Sequence, residues 1–157
     1  MDPIDFAEQS GATVVMLDYK DRRRVMRRWR ESYARTVKER TGKWVHAGHD
    51  WHTFSWNFCR SRQGALAVSE YLSEHVMDVY VIPEDQEPSA FICSGPRLLD
   101  FSECGTDVHV FPEDLSWTAA FTHEQPDIGP YFSHFEWATQ GLANTGMQPT
   151  AQKKRRG

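Results

Sequence analysis

Long apolar runs, paired cysteines and glycine-rich phosphate loops are missing from this sequence, and basic residues are rare between positions 44 and 152. No apolar run approaches the ~20 residues of a membrane-spanning helix, so no membrane role is expected. The start, Met1-Asp-Pro-Ile-Asp-Phe6, has neither the basic nor the apolar region of a signal peptide. The three cysteines, Cys59, Cys93 and Cys104, are odd in number and widely spaced, with no CxxC. That speaks against a disulfide framework and fits reduced, buried thiols in a cytoplasmic protein. GxSxG, Walker and HExxH patterns are absent, so no cofactor is expected and no reaction is named by motif.

What is present is a polarised charge distribution. Residues 20–43 hold eleven Lys/Arg against Asp21, Glu31 and Glu39, a net of +8. Residues 44–150 hold fifteen Asp/Glu against Arg60, Arg62 and Arg97, a net of −12. One basic helix is thus attached to an acidic body. Such a body repels polyanions and attracts basic partners. The 157 residues suit one domain, which at this size needs no staple to fold.

The expected elements are as follows. Residues 1–12 are a flexible start, and 13–17 are a short strand or the lead-in to a helix. Asp18 caps a helix that runs to about Arg40 and stops at Gly42, with Met26, Trp29, Tyr33 and Val37 as its apolar stripe. Residues 51–56 alternate like a strand, and Ser61 caps a second helix over about 63–75. Asp78–Ile82 and Ser89–Cys93 form a hairpin. A short helical turn lies between Arg97 and Cys104. Residues 107–111 and 116–122 are two more strands, and 131–137 a last one. Along 116–122, Trp117, Ala119 and Phe121 share one face. The resulting fold class is α+β: a mostly antiparallel sheet of about five strands, with two main helices packed on one face. The domain spans 13–138, and 139–157 form a disordered basic tail.

Several segments carry a further signal: Trp51-His-Thr-Phe-Ser-Trp56, the strand around Val79-Tyr-Val81, and Thr106-Asp-Val-His-Val-Phe111. Asp114-Leu-Ser-Trp117, Phe121-Thr-His-Glu124 and Gly129-Pro-Tyr-Phe132 complete the pattern. Together, over about residues 20–135, they resemble an uncharacterised bacterial family, domain of unknown function 4275. The resemblance implies a bacterial, cytoplasmic setting and supplies no catalytic residues.

Candidate chemistry comes from the residues themselves. His46, His49 and His52, with Asp50 beside them, are the candidate metal ligands, since neutral imidazoles suit zinc and similar ions. The alternative is a polar loop with one histidine packed beside Trp51. His123 and Glu124 are the candidate acid–base pair at the exit of a strand. The alternative there is a bond to the backbone of the 125–129 turn. Asp107 and His109 share one face of a neighbouring strand and would join such a site. With Arg23, Arg27 and Arg30 of the basic helix, they are also the candidate partner-binding residues. Three functions follow. The leading one is a non-catalytic module that binds a protein partner, in an immunity- or antitoxin-like role, by charge. The alternatives are an enzyme built on the histidines and Glu124, and nucleic-acid binding through residues 20–43. The sequence leaves the oligomeric state open.

Overall fold

The computed structural model describes residues 1–76, 78–85 and 89–143. Among these residues the fold is α+β, as expected, but the sheet has seven strands and helices cover both its faces. The strands are β1 (Thr13–Met16), β2 (Arg62–Gln63), β3 (Asp78–Pro83), β4 (Phe91–Ser94), β5 (Val108–Phe111), β6 (Trp117–Phe121) and β7 (Tyr131–His134). They lie in the order β1-β4-β3-β5-β6-β7-β2, every pair antiparallel. The helices are α1 (Pro3–Gln9), α2 (Tyr19–Tyr33), α3 (Arg35–Thr41), α4 (His52–Ser55), α5 (Ala65–Leu72) and α6 (Phe135–Ala143), with a 3-10 turn at Phe101–Cys104.

Both faces are covered because the central strands are apolar in both alternations. Along β3, Val79 and Val81 enter one core while Tyr80 and Ile82 enter the other, and all five residues of β6 are buried. A strand buried on both sides reads as a near-continuous apolar run, and a second layer of helices is what such a sheet requires. One core takes Val25, Met26, Trp29 and Tyr33 of α2 against Tyr80, Phe111 and Tyr131. The other takes Ala7 of α1 and Ala67 and Tyr71 of α5 against Val110, Trp117, Ala119 and Phe121. The two faces expected for β6 are therefore real, but neither meets solvent.

Other departures have local causes. Residues 1–12 contain α1, capped by Asp2, whose side chain accepts from the Ile4 N–H at 2.7 Å, with Pro3 in the first turn. Asp18 caps α2 as expected, accepting from the Asp21 N–H at 2.7 Å. The basic helix is broken at Ala34, where Thr53 Oγ1 donates to the Tyr33 carbonyl at 2.7 Å and occupies an acceptor the helical ladder would use. The apolar stripe nevertheless holds: Met26, Trp29, Tyr33 and Val37 are all buried. Residues 51–56 are not a strand. Trp51 and Phe54 are both buried core residues three apart, which is helical spacing, and α4 closes with Trp56 N–H donating to His52 O at 3.1 Å. Gly64, and not Ser61, occupies the cap position of α5. The last strand ends at His134, and α6 continues to Ala143, past the expected domain end at 138. The expected basic tail over 144–157 lies outside the described residues. Among the described residues, no helix is long and apolar enough to cross a membrane.

Candidate functional site

The site gathers where three strand ends meet the loop before α4. Pro83 ends β3 and presents Glu84, whose N–H donates to the Asp107 carbonyl at 3.0 Å. Asp107 immediately precedes β5 and His109 lies within it, on the same face, as strand parity requires. His123 leaves β6 two residues after Phe121, and its backbone N–H donates to Asp107 Oδ1 at 2.9 Å. His49 arrives on the loop that turns at Ala47 and Gly48, both at positive φ (53° and 89°). Its ring lies flat on Trp51, with centroids 5.1 Å apart and planes 19° apart.

Two groups of ligand-type side chains form there, and their chemistry differs. In the first, Asp50, Glu84 and His109 bring one ligand atom each to within 4.8 Å of one another. Its carboxylates are already committed. Arg30 donates to both oxygens of Asp50, at 2.8 and 2.9 Å. Glu84 Oε1 accepts from the Asp50 N–H at 2.9 Å, while Oε2 accepts from the Trp51 N–H at 3.3 Å and lies 2.8 Å from His109 Nε2. His109 is wholly buried, its ring 4.6 Å from that of Trp29. Bonded in this way, the group locks the 49–51 loop onto the sheet, although among the described residues His109 Nδ1 also has no hydrogen-bond partner.

The second group is His49, Asp107 and His123, again within 4.8 Å of one another. His123 Nδ1 stands 2.9 Å from both Asp107 oxygens. His49 Nδ1 stands 3.5 Å from Glu84 Oε1 and 3.6 Å from Asp107 Oδ2. Among the described residues it is a buried nitrogen without a hydrogen-bond partner, because neither separation has hydrogen-bond geometry. A tetrahedral ion with bonds of ~2.0–2.1 Å holds its ligand atoms roughly 3.4 Å apart. The Glu84 and Asp107 side chains are 7% and 1% exposed, whereas His123 is 44% exposed, so the group opens to solvent on the His123 side. The other nitrogen of His123, Nε2, lies 3.4 Å from Glu124 Oε2. The hydrogen bond to Asp107 is the main cause that pushes the His123 pKa above its ordinary value. Burial opposes it, and the charges of Asp107, Glu124 and Asp85 add to it.

The residues picked out in the sequence are thus distributed unevenly. His123, Glu124, Asp107 and His109 come together, and Arg30 joins them through Asp50. Among the described residues, His49 is the loop histidine placed against the Glu84 and Asp107 carboxylates. His52 Nδ1 is 2.6 Å from Ser55 Oγ, and His46 packs its ring against Trp56 and Phe58, 4.8 and 5.1 Å away. Arg23 and Arg27 lie elsewhere, exposed on α2. Glu84 was missed by sequence reasoning. Its one signal is its place directly after a strongly apolar strand, and that does not reveal which strand lies alongside.

No curated protein and no solved structure matches the chain significantly. A family model does match it, over residues 16–132, a span that contains His49, Glu84, Asp107 and His123. The chain belongs to that family, described as a domain of unknown function (DUF4275).

Proposed function

We propose that His49, Asp107 and His123 hold a divalent transition metal, with Glu84 beside them, and that the protein is a metal-dependent hydrolase. One observation carries this reading: His49 Nδ1 points at two buried carboxylates from 3.5 and 3.6 Å, within ion-pair range, without hydrogen-bond geometry, and close to the spacing a shared ion imposes. Two imidazoles and a carboxylate are a donor set suited to zinc, iron and neighbouring ions.

The surroundings support it. A metal-bound imidazole commonly gives its second N–H to a carboxylate, which fixes the ring and raises its basicity. Glu124 stands in that place for His123, and the Trp51 indole restrains the His49 ring. Glu84 is held by the backbone N–H groups of Asp50 and Trp51. A metal here would act as a Lewis acid and lower the pKa of a bound water. Glu124, 34% exposed, is placed to accept a proton at that mouth.

Capture of a protein partner, the expectation from charge, rests on net charge alone. The imidazole–carboxylate geometry is the more specific observation and favours the enzymatic alternative.

The test is metal content. Protein stripped with chelator and dialysed against cobalt(II) should retain about one equivalent and show visible d–d absorption of a low-coordinate site. His49→Ala and His123→Ala should each abolish that spectrum while keeping the far-ultraviolet circular dichroism of the parent. A wild-type protein that retains no zinc, manganese or cobalt would sink the reading.

A further inference from the structure

A second feature lies on α2, apart from the metal reading and independent of it. A surface groove of about 560 Å³ is lined by Tyr19, Arg22, Arg23, Arg27 and Arg30 along the helix and by Trp44 across from it. The helix residues recur at i, i+3/i+4, i+8 and i+11, so they form one stripe. Among the described residues, Glu31 is the one acidic residue in the lining.

Two of these arginines are spent on the fold. Arg22 is buried and donates to the Pro83 carbonyl at 2.7 Å, and Arg30 is bidentate on Asp50. Arg23 and Arg27 are different. Both are exposed, and among the described residues neither has an acidic partner. They stand one helical turn apart, side by side. Uncompensated guanidinium groups facing a groove are a fork for phosphate oxygens. The aromatic walls add a second recognition element. The Arg23 guanidinium lies over Tyr19, 5.6 Å from its centroid, and Trp44 has Arg35 and Lys38 on it at 5.8 and 5.9 Å. A planar ring can stack on either wall.

We infer that this groove binds a nucleotide-sized ligand, its phosphates on Arg23 and Arg27 and its aromatic ring against Trp44 or Tyr19. The volume falls within the ~300–1,000 Å³ of small-molecule sites. The charge map selects a small ligand over a polymer. Apart from the terminal cluster Lys153–Arg156, basic residues concentrate in 20–43, whereas residues 44–150 carry a net of −12, so a longer polyanion leaving the groove over that acidic body meets repulsion.

The experiment is titration calorimetry of the full chain with ADP, in chelator so that no metal-bound phosphate contributes. ADP should bind, and inorganic phosphate and adenosine should each bind more weakly. The charge-reversal pair Arg23→Glu/Arg27→Glu, both exposed and outside the cores, should lose at least about tenfold in affinity with an unchanged melting temperature. His123→Ala should bind ADP like the parent. Four outcomes overturn the inference: no ADP binding at millimolar concentration, unchanged affinity in the charge-reversal pair, loss of binding in His123→Ala, or a single-stranded oligonucleotide that displaces ADP and binds more tightly. Failure of the cobalt test leaves this one standing, and the reverse also holds.

Discussion

The Nδ1 atom of His49 stands 3.6 Å from Oδ2 of Asp107, across a gap that lies within ion-pair range but, among the described residues, lacks hydrogen-bond geometry. A cation in that gap would tie the 49–51 loop to the exit of β6 and bind the folded chain alone. At a metal concentration one hundred times the dissociation constant, such linkage adds about 2.7 kcal/mol. For a chain of this length that raises the melting temperature by about 5–10 °C. Differential scanning calorimetry of the metal-free protein with added zinc should show this rise. Asp107→Asn, which keeps the shape but removes the anionic ligand, should show almost none.

Glu124 gives a subtler test, because it touches the proposed ion only through His123. Its carboxylate lies 3.4 Å from His123 Nε2. Replacing the charge in Glu124→Gln should lower metal affinity by roughly 10–100-fold, the usual effect of removing a carboxylate behind a ligating imidazole. The stoichiometry and the cobalt spectrum should persist. Competition with a chromogenic chelator measures the affinity. Unchanged affinity would leave Glu124 as a surface residue.

Arg30 connects the basic helix to the site. It is the bidentate partner of Asp50, whose side chain is 7% exposed. Arg30→Ala leaves a buried carboxylate without its donors, at a cost of about 1–3 kcal/mol. Urea unfolding should show that loss. Adding Asp50→Ala should recover part of it, since the second change removes the stranded charge. Strict additivity of the two would mean that the pair contributes nothing as a pair.

Much of this arrangement was legible in the residues, and the rest was not for identifiable reasons. The β-branched runs at 79–82 and 108–111 announce strands. Strand parity alone places Asp107 and His109 on one side and brings His123 to the strand exit. Asp18 and Gly42 mark the two ends of the basic segment by their capping chemistry. By contrast, the aromatic alternation at 51–56 imitates a strand, because Trp51 and Phe54 face the core at helical spacing while His52, Thr53 and Ser55 are also buried. The edge strand β2, of two residues, is too short to stand out, and β1 was legible only as one of two readings of residues 13–17. Glu84 joins the site only because β3 pairs with β5 as well as with β4, and a choice of sheet neighbour is a tertiary decision with no local signature. Nothing local marks His49 as the loop histidine that reaches the carboxylates, for the same reason. What separates His49 from His46 and His52 is the direction the loop takes at Ala47 and Gly48.

The turn after His123 depends on a glycine. Gly129 has φ +88°, and a Cβ there would sit 3.0 Å from Thr122 Cγ2 and 3.1 Å from Thr122 Oγ1. Thr122 Oγ1 in turn donates to the Ile128 carbonyl and closes the turn. Gly129→Ala should cost about 1–3 kcal/mol in urea unfolding, from the left-handed backbone and the forced shift of Thr122. That shift also displaces His123 next in the chain, so metal affinity should fall in the same variant. A variant of parental stability would show that the turn accommodates the side chain.

The cysteines should be inert while the protein is folded. Cys59, Cys93 and Cys104 are free thiols, each 3–6% exposed. Burial pushes their pKa values up to about 12, 11 and 11. The thiolate is the reactive form, and a thiol with so high a pKa contributes almost none of it at neutral pH. Native protein should therefore react with iodoacetamide far more slowly than the urea-unfolded chain, in which all three thiols are alkylated. Cys59 has a further restraint, since its sulfur lies 3.7 Å from both Ser133 Oγ and the Arg60 carbonyl. Rapid alkylation of any one of them in the folded protein, located by peptide mass spectrometry, would mark that thiol as reactive and reverse its assignment as a small buried hydrophobe.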